Sequence, residues 1–265
     1  MISFKNRLVW ITGASSGIGK ELALQLAKEG AHLIISSNDA QELSHVADEC
    51  REFTSFCQEC PFDLSNPEEV KTTAETIVNT YDQIYLLINN GGISQRSLVK
   101  DTPVEIDRKI MEIDYFSYVI LTKAVLPGMI EAGEGFIAAT SSISGKFGFP
   151  LRSSYAAAKH AIQGFFETLR AEMKPHNISV TIAYPGRIQT KISLRAIDEK
   201  GNEHGVMDPG QQNGLSAKEC ARQYIRAIKK RKAEVYIGKS EILMVHIKRL
   251  FPSIFFRIVT KIKPT

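Results

Sequence analysis

Within one stretch of the chain, Ser142, Tyr155 and Lys159 bring together a hydroxyl, a phenol and an amine. Tyr155 and Lys159 are four residues apart, so a helix sets both on one face, a turn from each other. The intervening Ala156, Ala157 and Ala158 favour that helix without crowding it. An ammonium beside a phenol favours the ionised phenol while burial opposes it, and a phenol tuned this way serves as a general acid or base. The same pair also fits an amphipathic helix with an exposed lysine, which is the commoner arrangement. Proton chemistry therefore needs a partner supplied by other stretches.

One such stretch is Thr12-Gly13-Ala14-Ser15-Ser16-Gly17-Ile18-Gly19, which follows the apolar run 8–11 and opens a helical pattern over 18–28. Glycines after a strand permit a tight turn and close backbone approach, and free amides at a helix start favour a pyrophosphate. Around these motifs the chain alternates strand and helix, the pattern that builds parallel sheets. Further strands are expected at 32–35, 54–62, 84–88, 135–140, 178–183 and 235–237. Asn38 or Asp39 with Glu42 reads as a capping box, and Pro67 starts a helix running to 81. Helical spacing of Ile106, Ile110, Ile113, Ser117 and Leu121 marks core or a subunit interface within 103–131. Long helices follow over 153–174 and 217–230, and residues 187–215 lack periodicity, as an active-site lid would. The expected fold is an α/β doubly wound, mostly parallel sheet: a Rossmann-type domain at 1–238 with a helical tail at 239–265.

The bulk properties agree with one large domain: 265 residues, 43% hydrophobic and 23% charged. A formal charge of +4, spread along the chain, implies no nucleic-acid surface. No apolar run precedes Arg7 and no stretch of 18 apolar residues occurs, so a cytoplasmic chain is expected. Cys50, Cys57, Cys60 and Cys220 form no disulfide framework. Cys57 and Cys60, with His45 and Cys50, would make a four-ligand zinc set. A strand there points the two sulfurs to opposite faces, and Pro61 stands where a redox motif needs a helix start, so no metal is expected.

Taken together, the motifs resemble the short-chain dehydrogenase/reductase family over about residues 7–238. Thr12 to Gly19 matches its T-G-x-x-x-G-x-G, Asp63-Leu64 its adenine-side acid, and Asn89-Asn90-Gly91-Gly92 its N-N-A-G with glycine for alanine. Ser142, Tyr155 and Lys159 match its catalytic serine and Y-x-x-x-K, and Pro185-Gly186 with Ile188 and Thr190 matches P-G-x-I-x-T. The nearest likeness is to the membrane-associated dehydrogenase/reductase and steroid-dehydrogenase-like members.

The resemblance implies nicotinamide-dependent interconversion of alcohol and carbonyl. Tyr155 would move the proton, Ser142 would hold the substrate oxygen, and Lys159 would tune the phenol and bind the nicotinamide ribose. The cofactor-binding set it implies is Gly13, Ser15, Ser16, Gly17, Ile18, Gly19, Ser37, Asn38, Asp63, Leu64, Asn90, Gly91, Tyr155, Lys159, Pro185, Gly186, Ile188 and Thr190. Asp114 stands where the family places an asparagine that supports a water relay to the lysine, or it neutralises a nearby lysine. A homodimer or homotetramer is also implied.

Cofactor choice is read after the second strand, where an acid favours NAD and an arginine NADP. Ser36 occupies the usual place of the NAD acid, which favours NADP(H) over NAD(H). Asn38 stands where NADP-using relatives often carry arginine, and Asp39 is either the acid or only a helix cap. Phe147, Phe149, Leu151, Ile188, Ile192, Leu194 and Met207, with Gln95, Arg96 and Arg152, form a mostly apolar set for a lipophilic alcohol or carbonyl compound, or else pack the lid. Two alternatives stay open: a 3-oxoacyl thioester reductase, which needs a basic patch near the lid, and a nucleotide-binding sensor or scaffold drifted from catalysis, hinted at by Asp114, Gly91 and Asn38. In the tail, Leu243, Ile247, Leu250, Ile254 and Ile258 keep helical spacing beside Phe251, Phe255 and Phe256. Lys248, Arg249, Arg257, Lys261 and Lys263 make it basic. Residues 241–263 therefore suit a membrane interface, or dock on the body or another subunit, and Pro252 divides them into two helices.

Overall fold

The computed structural model describes residues 2–261, so Lys263 of the expected tail lies outside the described residues. Strands and helices alternate as β1 (Leu8–Thr12), α1 (Gly17–Lys28), β2 (His32–Ser36), α2 (Ala40–Arg51), β3 (Cys57–Glu59), α3 (Pro67–Thr80) and β4 (Leu86–Asn89). Then come α4 (Val104–Met111), α5 (Ser117–Ala132), β5 (Gly135–Thr140), α6 (Ser153–Met173) and β6 (Ile178–Pro185). The lid holds β7 (Ile188–Gln189), α7 (Pro209–Gln212) and β8 (Leu215–Ser216), followed by α8 (Ala217–Lys229), β9 (Glu234–Ile237), α9 (Leu243–Leu250) and α10 (Pro252–Val259).

Seven strands form one parallel sheet in the order β3-β2-β1-β4-β5-β6-β9, with Val9 in register with both Leu33 and Leu86. The strands read as continuous apolar runs because helices cover both faces. Val9 and Ile11 enter one core layer with α1, α2 and α8, while Trp10 enters the other beneath α3, α5 and α6. The order reverses between β1 and β4, so the loops after these strands diverge and leave a crevice at their carboxyl ends.

Several boundaries differ from the expected ones. The third strand shortens to Cys57–Glu59, because Pro61 has no N–H with which to extend the ladder. Cys57 packs in one core layer and Cys60 against the other, as alternation requires. Among the described residues no group of three or more His, Cys, Asp or Glu is placed to hold a metal ion. β6 runs on to Pro185, where it pairs with Ile237. Asp39 alone caps α2, accepting from the Glu42 amide at 3.2 Å, while its own N–H goes to Ser37 Oγ.

Between α4 and α5 the helix loosens into a π-helical turn over Glu112–Phe116 that continuous helical spacing did not reveal. By length and composition, Val104–Ala132 is the one helical stretch among the described residues apolar enough to cross a membrane. Its Tyr118, Leu121, Val125 and Met129 are buried in the core layer below the sheet.

Pro252 does split the tail, giving α9 and α10. Of the expected stripe, Ile247 packs against the docked cluster while Leu243, Leu250, Ile254 and Ile258 are exposed. Val245, Phe255 and Val259 pack on Ile143 and Phe147, whereas Leu243, Leu250, Phe251, Ile254 and Phe256 are exposed.

Candidate active site

The loops after β1 and β4 are tied together by backbone and short side chains. Thr12 Oγ1 accepts from the amides of Asn90 and Gly91 at 3.0 and 3.1 Å, and Asn90 Nδ2 donates to the Thr12 carbonyl at 3.2 Å. Gly13 adopts φ +64, and a Cβ there would lie 2.5 Å from Gly91 Cα. At Gly91 a Cβ would lie 2.5 Å from Leu64 Cδ1, so glycine in place of the family's alanine matches the leucine beneath it. Ser16 caps α1 without a side-chain hydrogen bond, leaving the first-turn amides free for an anion.

A cavity of about 860 Å³ runs along this edge. Its walls include Gly13, Ser15, Ser16, Gly17 and Ile18 at the helix start, and Ser37, Asn38, Asp63 and Leu64 beyond them. Asn90, Gly91, Ser142, Tyr155, Lys159, Pro185, Gly186, Ile188 and Thr190 complete them. Its size and its free helix-end amides fit a dinucleotide.

Two of the expected site residues stand outside the cavity wall. Gly19 packs against the Gly13 carbonyl and Asn90, so it sets the approach of helix to turn. Asp114 is fully buried behind Lys159.

α6 places Tyr155 and Lys159 on one face, both nearly buried, with Lys159 Nζ 5.6 Å from the Tyr155 ring centre. Nζ donates to the Thr140 carbonyl at 3.2 Å and lies 3.2 Å from Asp114 Oδ2. The π turn carries Asp114 into this position, where Oδ1 accepts from the Ile93 amide at 2.8 Å. Burial pulls the Lys159 pKa down, but the surrounding groups, Asp114 foremost with Tyr118 and Tyr155, together raise it above the ordinary lysine value, so the ammonium stays charged. The reading of Asp114 as a neutralising partner thus has its geometry.

Ser142 Oγ accepts from the Ser144 amide at 3.2 Å and faces the same cavity as Tyr155. Tyr118 was not singled out in the sequence. Burial pushes its phenol above the usual tyrosine range, so it remains protonated and donates to the Gly91 carbonyl at 3.0 Å. Its spacing of four from Asp114 was the available signal.

On the cofactor side, Ser36 Oγ accepts from Trp10 Nε1 at 3.0 Å, and Ser37 Oγ bonds Ser15 Oγ at 2.8 Å. Asp39 lies 3.5 Å from the Arg195 guanidinium, which the lid brings to the cavity wall.

A second cavity of about 360 Å³ shares Ser142, Tyr155, Gly186, Ile192 and Gln211 with the first. Phe147, Phe149 and Ile143 line it with Arg96, Arg152 and Asp208, and Glu241 and Met244 of the tail close one side. Glu241 Oε1 accepts from the Arg187 amide at 2.8 Å, tying the tail to the Pro185-Gly186 turn. Nothing in the sequence had tied Asp208 or Glu241 to the site. Of the expected apolar set, Leu151, Ile188, Leu194 and Met207 do not line this second cavity, Ile188 lining the first instead, and the polar candidate Gln95 is also absent from its wall.

A doubly wound sheet with a dinucleotide-sized cavity at its switch point, and a Ser-Tyr-Lys set at the far end, defines a nicotinamide-nucleotide oxidoreductase. The family model for short chain dehydrogenase matches residues 7–201, and the chain belongs to the short-chain dehydrogenase/reductase family, whose members are NAD(P)-dependent. It is 40% identical to dehydrogenase/reductase SDR family member 7B of Xenopus laevis, over 96% of this chain and 80% of that one. It is 35% identical to dehydrogenase/reductase SDR family protein 7-like of Drosophila melanogaster, over 97% and 82%. A short chain dehydrogenase/reductase from Burkholderia phymatum, solved in complex with NAD, superposes with a TM-score of 0.84 at 21% identity, covering 100% and 98% of the two chains.

Proposed function

We propose that the protein interconverts a lipophilic alcohol with its ketone or aldehyde, using NADP(H). The observation that carries this reading is that Ser142 and Tyr155 line both cavities, so one oxygen atom can meet both residues at the junction. When bound, the cofactor supplies or takes the hydride. Tyr155 gives its phenolic proton to the carbonyl oxygen in reduction and recovers it from the alcohol in oxidation. Ser142 Oγ holds that oxygen by a hydrogen bond. Lys159, held as a charged ammonium 5.6 Å from the Tyr155 ring centre, lines the first cavity, where it would bind the ribose hydroxyls of the cofactor. The NADP(H) preference is supported by the lack of an acid at Ser36 and by Arg195 beside Ser37 and Asn38, although Asp39 engages that arginine. Asp114 paired with Lys159, and Gly91 fitted to Leu64, weigh against the drifted-scaffold reading.

The test is turnover of a panel of lipophilic ketones with NADPH and NADH, with Tyr155→Phe as control. Tighter NADPH binding and turnover lost in the control support the proposal. Cofactor binding with no turnover in either protein returns the scaffold reading.

The outward face of the tail supports a cytoplasmic protein resting on a membrane surface. Exposed Leu243, Leu250, Phe251, Ile254 and Phe256 lie among Arg249, Arg257 and Lys261. Flotation with anionic liposomes, lost in a Phe251→Asp/Ile254→Asp double variant, tests this; no flotation of the intact protein refutes it. Half-exposed Phe116, packed edge-on to Tyr115 beside Phe165, supports a homodimer or homotetramer through the α4–α5 bend, which light scattering checks.

A further inference from the structure

We infer that the second cavity holds a built receptor for an acidic group, so that the substrate is an amphiphile carrying a carboxylate or phosphate besides its carbonyl and its apolar body. This rests on the oxidoreductase reading above and adds the substrate's charge to it. Arg96 and Arg152 both line the cavity, with side chains only 2% and 10% exposed. Both guanidiniums turn to one atom, Asp208 Oδ2, with Arg152 Nη2 at 2.9 Å. Two cations thus share a single carboxylate.

Each guanidinium offers five N–H donors. Arg96 Nη1 donates to Ser94 Oγ at 3.0 Å and to the Gln95 carbonyl at 2.6 Å, but its Nε has no partner. Arg152 rests on the Phe149 ring, 4.7 Å from its centre, and its Nη1 has no partner. Unmet buried donors are costly and native structures hold few.

Burial and the neighbouring Arg96 charge pull the Arg152 pKa down, as befits a cation short of counter-charge. Counting the whole lining, three arginines face two carboxylates, and one of these, Glu241, is engaged by the Arg187 and Lys239 amides. Asp208 balances one of the two guanidiniums and leaves one positive charge with unpaired donors. The second arginine supplies the planar, forked donor set that recognises carboxylate or phosphate, in a pocket whose lining also carries Ile143, Phe147, Phe149, Ile192 and Met244 for an apolar body.

The experiment uses the full chain with NADPH and matched substrates: a medium-chain methyl ketone, the same ketone ending in a carboxylate, and the same ketone ending in a phosphate ester. The acidic members should exceed the neutral one in kcat/KM by about tenfold or more, through KM, as expected for one charge-assisted contact. Arg152→Gln should collapse that ratio and Arg152→Lys restore part of it, and the two acidic arms tell carboxylate from phosphate. A neutral ketone favoured over both acids, or a ratio unchanged in Arg152→Gln, overturns the inference. If no ketone turns over, the oxidoreductase reading fails by itself. Calorimetry of decanoate against decanol on the NADPH complex then still decides: preference for decanoate that vanishes in Arg152→Gln supports the anion site, and equal binding refutes it.

Discussion

The two cavities that meet at Tyr155 are built from different materials. Around the glycine turn the cofactor side is made of backbone and short side chains from the ends of adjacent strands, locked by Thr12, Asn90 and Tyr118. The substrate side is made of long side chains from distant parts of the chain: Arg96 after β4, Arg152 before α6, Asp208 in the lid and Met244 in the tail. A wall of backbone tolerates little change, whereas a wall of loop side chains can change its ligand without disturbing the sheet. The difference predicts which substitutions strike one half alone.

Tyr155→Phe, at the junction, should lower turnover by about a hundredfold to ten-thousandfold, the usual worth of a proton donor. Its nucleotide affinity should persist, which fluorescence titration of NADPH checks. On the cofactor side, Gly13→Val forces a branched residue into φ +64 and onto Gly91. Nucleotide affinity should then fall by about tenfold or more, with matching loss at every substrate. On the substrate side, Phe255→Asp undocks the tail from Ile143 and Phe147. KM should rise by about tenfold while nucleotide affinity changes by less than about twofold, so equal loss of both would merge the two halves.

The smallest effect is expected at Asp114→Asn, which removes the counter-charge of Lys159. Turnover should be retained or improved, which steady-state kinetics checks. A total loss would show that the carboxylate itself is required. The same variant carries a stability signature. The folded pKa of Lys159 is raised, so the pair's contribution is complete below the ordinary lysine value of ~10.4 and is lost as pH rises beyond it. Denaturant titrations across that range should show an alkaline loss in the native chain and less of it in Asp114→Asn.

What the sequence disclosed follows the range of the interactions. The glycine turn, the strands and the Tyr155–Lys159 pair depend on spacings of a few residues, and these were legible. Arg96 and Asp208 are 112 residues apart in the chain, and no local pattern announces their meeting. The π turn escaped because Ile110, Ile113 and Ser117 keep apolar spacing whether the helix is tight or loose. The tail misled for another reason: both of its faces are apolar, and spacing cannot say which one has a partner. Val245, Phe255 and Val259 found Phe147, and of the more regular stripe Ile247 joined them while Leu243, Leu250, Ile254 and Ile258 were left outside.

Because Glu241 and Met244 belong to the substrate wall, the two halves of the site are finished at different moments of the chain's synthesis. Every residue that lines the nucleotide cavity precedes Ile237, the end of the sheet's last strand. Chains fold from the N-terminus as they emerge, so a nascent chain can hold its nucleotide before it has a place for the substrate. A fusion or tag appended after α10 would for the same reason burden substrate affinity first and leave nucleotide affinity for last.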